Sequence, residues 1–385
     1  MKPLIEDIIN RFGGRLPGSK QERDAQLYFK SLLEKFCDSV QVQEFKTPVN
    51  SMFGSLKIFC LLFYVSLVLF LFNHTAALVL SLVNSILFIG HFVIYHHWLD
   101  FLFKKQNSLN VIGDVEPLEN ASATVIVSGH MDSTLEFIWW YRLKDFGIAL
   151  TVVSGFLIAL FPLVSLLALV QEFAGWNFQL AQGLWWFFAI LSPITIVYFN
   201  IHGKDAVQGA QDNLSGIVAA AEVAKHFSNH KLKHTRVRIV SFGCEEPGLR
   251  GSDAYAKTFR EELKRENVVC INLDGIKDAD KLTIVTKEPM VLAQYNSSVI
   301  KKMEAAFMAT NTPYLKKSVP FGATDGVSFV RQEIPAISII GLSTEKLDPT
   351  YHTRLDIPQY VDPLALELTK NALVKFIQAV DSEPC

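Results

Sequence analysis

Four long apolar runs, almost free of charge, in a chain of 385 residues constrain the fold more than any other feature. The first pair lies between Met52 and Phe103: LKIFCLLFYVSLVLFLF at 56–72, a polar break Asn73-His74-Thr75, then AALVLSLVNSILFIGHFVIYHHWL at 76–99. The second lies between Phe146 and Ile201: FGIALTVVSGFLIALFPLVSLLALV at 146–170, a polar stretch at 171–182, then GLWWFFAILSPITIVYFNI at 183–201. A hydrocarbon core of about 30 Å needs about 20 apolar residues in a helix. Each run meets or nearly meets that length, with Lys57 expected to snorkel to the interface. The expectation is two transmembrane helical hairpins, 52–103 and 146–201. His91, His96 and His97, near a helix end, read as interfacial polar groups.

A hairpin returns the chain to the side it left. Residues 1–51, 104–145 and 202–385 therefore lie on one side of the membrane and can form one discontinuous domain. The N-terminal stretch MKPLIEDIINRFGGRLPGS is polar and does not read as a secretory signal. Half the chain is apolar, which excludes a disordered protein. A net charge of −2 leaves no electrostatic case for a nucleic-acid partner. Five cysteines in so long a chain do not make a disulfide scaffold.

The non-membrane pieces read as α/β. Short β-branched runs bounded by turn residues predict buried strands from 121, at 236–243, 268–274 and 335–341. Helical periodicity predicts helices at 22–36, 215–227, 252–266, 292–310 and 363–380. The alternation implies a mostly parallel sheet covered by helices on both faces. Ligands bind such sheets outside the carboxyl ends of the strands. Here those ends carry His130-Met131-Asp132, Glu245-Glu246, Asp274-Gly275 and, after a loop, Tyr351-His352-Thr353; Asp212-Asn213 precedes a helix. Two imidazoles with several carboxylates suit Zn²⁺ and tolerate Co²⁺ or Mn²⁺.

The ordered motifs H-x-D, D-N-x-S-G, E-E-x-G-L-x-G-S, L-D-G and Y-H-T resemble the M28 family of co-catalytic metallopeptidases. They stand here at 130–132, 212–216, 245–252, 273–275 and 351–353, and Gly14-Arg15-Leu16-Pro17-Gly18-Ser19 resembles the family's opening turn. The resemblance covers nearly all the non-membrane chain. It implies a zinc-exopeptidase-like α/β fold, with a mostly parallel mixed sheet sandwiched by helices and interrupted here by the two hairpins. It implies two zinc ions bridged by Asp212, one also held by His130 and Asp274, the other by Glu246 and His352. Glu245 matches the general base, and Asp132 the carboxylate that orients the first histidine. The stretch between His130 and Asp212, usually short in the family, here contains a membrane hairpin.

Elementary chemistry agrees with these roles. Two cations about 3.5–4 Å apart need a bridging carboxylate, and water between them loses a proton near neutral pH. An unligated carboxylate beside that water can pass the proton to the leaving amine. Taken singly, a Glu-Glu pair is more often a solvated turn, and His352 a surface histidine; only their joint order outweighs that. Asp325, in Gly322-Ala323-Thr324-Asp325-Gly326, is a candidate substrate-pocket residue or else a helix N-cap, and Tyr351 is a second pocket candidate. Cys244 reads as a small buried strand residue.

The expected activity is that of a membrane-anchored dinuclear zinc aminopeptidase acting on short peptides. Rival readings are a glutaminyl-cyclase-like mono-zinc acyltransferase, a non-catalytic M28-like binding domain, and a transporter. The complete ligand set argues against the first two, and the near absence of charge in the apolar runs against the third. Lys46, Lys57, Lys104, Lys105, Arg142, Lys144 and Lys204 lie on the side of the catalytic pieces. Loops 73–75 and 171–182 contain no Lys or Arg. The positive-inside rule then places the catalytic domain in the cytoplasm, where unpaired cysteines also fit. Oligomeric state is not legible.

Overall fold

The computed structural model describes residues 1–177 and 179–382; the fifth cysteine, Cys385, lies outside the described residues. The chain divides into two compact units. One comprises Met1–Val49, Lys105–Glu136 and the chain from Asp205 onward; the other comprises Asn50–Lys104 and Phe137–Lys204.

The first unit is built on an eight-stranded sheet. Its strands are β1 (Ser39–Thr47), β2 (Gln106–Val115), β3 (Ala123–His130), β4 (Thr235–Phe242), β5 (Val268–Asp274), β6 (Thr283–Val285), β7 (Leu315–Lys317) and β8 (Ala336–Ile340). Their order is β1-β2-β4-β3-β5-β8-β6-β7. The central four, β4, β3, β5 and β8, are mutually parallel. β2 runs antiparallel to β4 and to β1, and β6 antiparallel to β8, so the sheet is mixed. Every residue of β3 is buried, which is why it reads as an unbroken apolar run rather than an alternation. Val127, Ile239, Ile271 and Ile337, one from each central strand, are fully buried in one core.

The flanking helices follow the expected periodicity. Helix Ser215–Asn229 buries Ile217, Val218, Val223, Ala224 and Phe227. Helix Pro363–Asp381 opens with Asp362 accepting the Leu364 N–H and buries Leu366, Leu373, Phe376 and Ile377. Two expectations change. The helix expected at 252–266 is two, Arg250–Thr258 and Arg260–Arg265, separated at Phe259. The one expected from 292 starts at Ser297, where Asn296 caps it by accepting the Ser298 and Val299 N–H groups.

The second unit contains four helices long and apolar enough to cross a membrane, Ser51–Phe70, His74–Val93, Asp145–Phe173 and Gln179–Tyr198. The second ends in a π turn, Ile89–Val93, and the fourth tightens to a 3₁₀ segment, Ser192–Tyr198, that opens at Pro193. Polar side chains are turned inward. Asn84 donates to the Phe59 carbonyl (3.0 Å), Ser85 to Ile158 (2.8 Å), Ser154 to Ile194 (3.2 Å) and Trp185 to Leu67 (2.9 Å). Val68, Val79, Phe156, Leu163 and Ile190 face outward. That inversion of the soluble pattern is how helices associate where the surroundings are as apolar as leucine. His91, expected at an interface, is buried: its Nε2 lies 3.1 Å from Ser51 Oγ, and its Nδ1 accepts the Leu99 N–H at 3.1 Å.

Candidate metal centre

The carboxyl ends of β3, β4 and β5 bring the predicted ligands together. One donor atom each of His130, Asp212 and Asp274 lies within 4.8 Å of the others, and the same holds for Asp212, Glu246 and His352. Asp212 is common to both groups. Its Oδ1 stands 3.1 Å from His130 Nε2 and its Oδ2 3.1 Å from His352 Nε2. His352 Nε2 is also 3.2 Å from Glu246 Oε2. Glu245 Oε2 stands 3.8 Å from His130 Nε2.

The motif residues between the ligands are the fasteners. Asn213 donates to the Leu273 carbonyl (2.8 Å) and accepts from the Gly216 and Gly275 N–H groups (both 3.2 Å), tying the Asp212 loop to the end of β5. Ser215 Oγ accepts the Ile276 N–H at 2.9 Å. Gly216 is required because a Cβ there would stand 2.6 Å from both Asn213 Oδ1 and the Leu273 carbonyl. Asp356, four residues after His352, accepts the Gln211 (2.7 Å) and Asp212 (3.3 Å) N–H groups. Lys277 Nζ pairs with Asp348 Oδ2 (2.6 Å), and Arg354 forks onto Glu136 (2.7 and 2.6 Å), so the His352 loop is anchored on both sides.

Asp132 does more than the sequence suggested. His130 Nδ1 is closer to the Asp132 backbone carbonyl (3.1 Å) than to its carboxylate (3.5 Å). The two-residue return of the chain brings the main-chain oxygen nearest the ring. The carboxylate accepts the backbone N–H of Glu245 (3.0 Å) and of Glu246 (3.1 Å). It thereby fixes the turn on which two adjacent glutamates both face the site. Cys244 just before them and His352 adopt left-handed backbone, φ 54° and 56°. Such conformations cost about 1–3 kcal/mol each and persist where the surroundings impose them.

Electrostatically the centre is short of positive charge. Burial, with repulsion among the neighbouring carboxylates, lifts Glu245, Glu246 and Asp274 well above the usual carboxylate range. Asp212, despite burial, is held well below it by His130 and His352. His130 is raised: burial opposes its charge, but Glu245, Asp132 and Asp212 outweigh it. Glu246 Oε1 is a buried acceptor with no hydrogen-bond donor among the described residues. This donor set fits divalent cations, whose charge would reverse each of those upward shifts.

Of the pocket candidates, Tyr351 stacks on His352 with ring centroids 3.9 Å apart. Asp325 is fully buried at the N-cap position of Gly326–Val330 but makes no side-chain cap bond. Burial, added to by Asp132 and Glu288, pushes its carboxyl up to about 7. Asp356, Gln211, Lys277 and the Glu136–Arg354 pair were not foreseen. Only Asp356 left a trace in the sequence, as the acidic residue closing Tyr351-His352-Thr353-Arg354-Leu355-Asp356.

The sequence profile of peptidase family M28 matches residues 195–377. The chain is similar to the aminopeptidase YwaD of Bacillus subtilis, 27% identical over 181 residues, covering 45% of this chain and 38% of that protein. It is also similar to the probable lipoprotein aminopeptidase LpqL of Mycobacterium tuberculosis, 25% identical over 183 residues, covering 41% of this chain and 37% of that protein. The chain thus spans about two fifths of the length of these curated relatives. Among solved structures, a zinc aminopeptidase from Bacillus subtilis aligns with TM-score 0.58 at 17% identity, covering 98% of this chain and 94% of that one. A Porphyromonas gingivalis glutaminyl cyclase aligns equally, TM-score 0.58 at 14% identity, covering 98% and 96%. Both likenesses concern the fold. The profile match begins at residue 195, within the last turns of the fourth apolar helix, so His130 and Asp132 lie outside it although the fold returns them to the same sheet edge. The likeness to peptidase family M28 thus covers residues 195–377, somewhat under half of the chain.

Proposed function

We propose that this chain is a membrane-anchored dinuclear zinc metallopeptidase that removes N-terminal residues from short peptides. The observation that carries the reading is Asp212, whose two oxygens face His130 and His352 at the same 3.1 Å. One carboxylate shared by two otherwise separate donor groups is what a pair of cations needs. His130, Asp212 and Asp274 would hold one ion; Asp212, Glu246 and His352 the other. The chemistry such a pair of ions would supply there is polarisation of the scissile carbonyl and a lowered pKa of the attacking water. Glu245 Oε2 receives that water's proton as the oxygen adds to the carbonyl carbon. The same carboxyl then returns the proton to the departing amide nitrogen as the C–N bond breaks, leaving a free carboxylate and a free amine. Asp132 keeps Glu245 at its station through the backbone bond. Tyr351 and Asp325 are assigned to the substrate pocket. Zinc is the proposed ion, with cobalt or manganese as substitutes.

The four apolar helices are proposed to span a bilayer as two hairpins, with the catalytic domain, 1–51, 104–145 and 202–385, on the cytoplasmic side. The inward Ser and Asn side chains and the outward Val, Leu and Phe support the spanning of a bilayer, and the Lys and Arg residues flanking the helices support the orientation. Peptides and the lipid bilayer are the proposed partners.

A second reading, cyclisation of N-terminal glutamine at one zinc, has the likeness to glutaminyl cyclases in its favour. Elemental analysis of the purified protein, with assays for amino-acid release and for ammonia from glutaminyl peptides, separates the two. Two metals per chain and amino-acid release are expected. One metal and ammonia release would replace this reading with the other.

A further inference from the structure

The segment between Gly13 and Glu22 carries two buried charged side chains that the mechanism leaves unused. Arg15 is fully buried. It spends its guanidinium on main-chain carbonyls: Nε on Met131 (2.7 Å), Nη1 on Gly13 and Gln208 (both 2.8 Å), Nη2 on Gly209 (3.1 Å). Met131 lies between His130 and Asp132, and Gln208 and Gly209 lie just before Asp212. One planar fork therefore spans two of the three segments that would supply ligands to the first ion, those of His130 and Asp212. The main chain doubles the link. Arg15 N donates to Ser133 Oγ (3.0 Å), Ser133 N donates to the Arg15 carbonyl (3.0 Å), and Ser133 Oγ donates to Val207 (2.9 Å).

Glu22 holds the third loop. It is 1% exposed, and its carboxylate accepts the N–H of Cys244 (2.7 Å) and of Gly18 (2.7 Å) and the Ser108 hydroxyl (3.1 Å). Cys244 is the left-handed residue that aims Glu245 and Glu246. Taking a guanidinium and a carboxylate out of water is costly unless every polar atom is bonded. Here the bonds to Met131, Gln208, Gly209 and Cys244 run to segments that carry proposed metal ligands, and those to Gly13, Gly18 and Ser108 satisfy the remaining polar atoms.

We propose that Arg15 and Glu22 are positioning residues of the metal centre: together they clasp the His130, Asp212 and Glu245–Glu246 loops at one spacing and so set metal affinity. A planar fork with five donors can serve both of its loops and its own turn at once, while Glu22 serves the third. A lysine keeps the charge and loses the span. The inference rests on the metallopeptidase reading, and the experiment separates their failures.

The test is zinc affinity of the full-length protein in detergent, by competition with a chromophoric chelator, for Arg15→Lys, Glu22→Gln and Ser133→Ala. Phe307→Leu, a fully buried apolar substitution in helix Ser297–Ala309, is the control for general loss of stability. Residues that only orient ligands are typically worth about 10–100-fold in metal affinity. Arg15→Lys and Glu22→Gln are expected to weaken zinc at least tenfold, Ser133→Ala less, and Phe307→Leu not at all at a comparable loss of melting temperature. Wild-type affinity in Arg15→Lys overturns the proposal, as does an equal loss in Phe307→Leu. Should Arg15→Lys not fold, Glu22→Gln and Ser133→Ala decide by the same criterion. A wild-type protein that binds no zinc sinks the metallopeptidase reading instead.

Discussion

The different jobs proposed for two adjacent glutamates give the sharpest test of the site. Glu245→Gln and Glu246→Gln are both isosteric, and both leave the backbone amides on Asp132 at 3.0 and 3.1 Å. Any difference between them is therefore a difference of side chain. Glu246 Oε2 stands 3.2 Å from His352 Nε2 and belongs to a donor group, whereas Glu245 belongs to neither group and stands 3.8 Å from His130 Nε2. Removing a general base costs about 10²–10⁴-fold in rate, or about 3–5 kcal/mol of barrier. Glu245→Gln is thus expected to lose that factor in kcat with both metals retained. Glu246→Gln removes a charged ligand and is expected to exceed the about 10–100-fold loss of metal affinity typical of residues that merely orient ligands. Its kcat at saturating zinc should recover in part. The assay pairs chelator competition with steady-state release of amino acid. Metal loss in Glu245→Gln together with metal retention in Glu246→Gln would show that the two roles are exchanged.

Other outcomes follow from the same geometry. Impermeant thiol reagent on intact cells is expected to modify Ala174→Cys, between the third and fourth apolar helices, and to spare Ser382→Cys in a Cys385→Ser background; the reverse pattern refutes the cytoplasmic orientation. Glu288, fully buried, accepts Tyr295 OH (2.7 Å), the Thr324 hydroxyl (2.7 Å) and the Thr324 N–H (2.9 Å), and burial lifts its carboxyl from 4.5 to about 7. A raised carboxyl pKa means the folded state keeps a proton that the unfolded chain releases, so this contribution is present below about pH 4.5 and is lost as pH rises to about 7. The gap corresponds to about 3 kcal/mol. Wild-type melting should therefore decline over that range relative to Glu288→Gln, and a difference independent of pH would refute the assignment.

Much of the molecule is legible in the residues alone, for identifiable reasons. The central strands announce themselves because burial on both faces demands continuous β-branched runs, and all four expected runs lie within two residues of β3, β4, β5 and β8. The four apolar helices are legible because long apolar runs almost free of charge have the length and composition of helices that could cross a membrane. The candidate ligands His130, Glu246 and Asp274 are legible because they stand at or shortly after strand ends, where order in the sequence becomes position on the sheet edge; Asp212, before a helix, and His352, in a loop, are legible only through the motifs around them. β1 escaped notice because, as an edge strand, it keeps two thirds of its residues polar, in SVQVQEFKT. The left-handed turn at Cys244 escaped notice because nothing local to it requires it; Glu22, far away in the chain, does.

What only the tertiary structure decided is which polar groups face one another. Asp132 reads as a partner for His130, yet its carboxylate went to two amides on another strand's loop. Arg15 reads as one residue of an opening turn, yet it became a buried fork across loops more than a hundred residues away. His91 reads as interfacial, yet it is buried against Ser51. Apolar periodicity is a local signal, because burial depends on the face a residue occupies within its own helix or strand. A buried hydrogen bond has no such period: its partner is whichever donor or acceptor the packed chain brings within about 3 Å, and that is settled only when the sheet and its loops have closed.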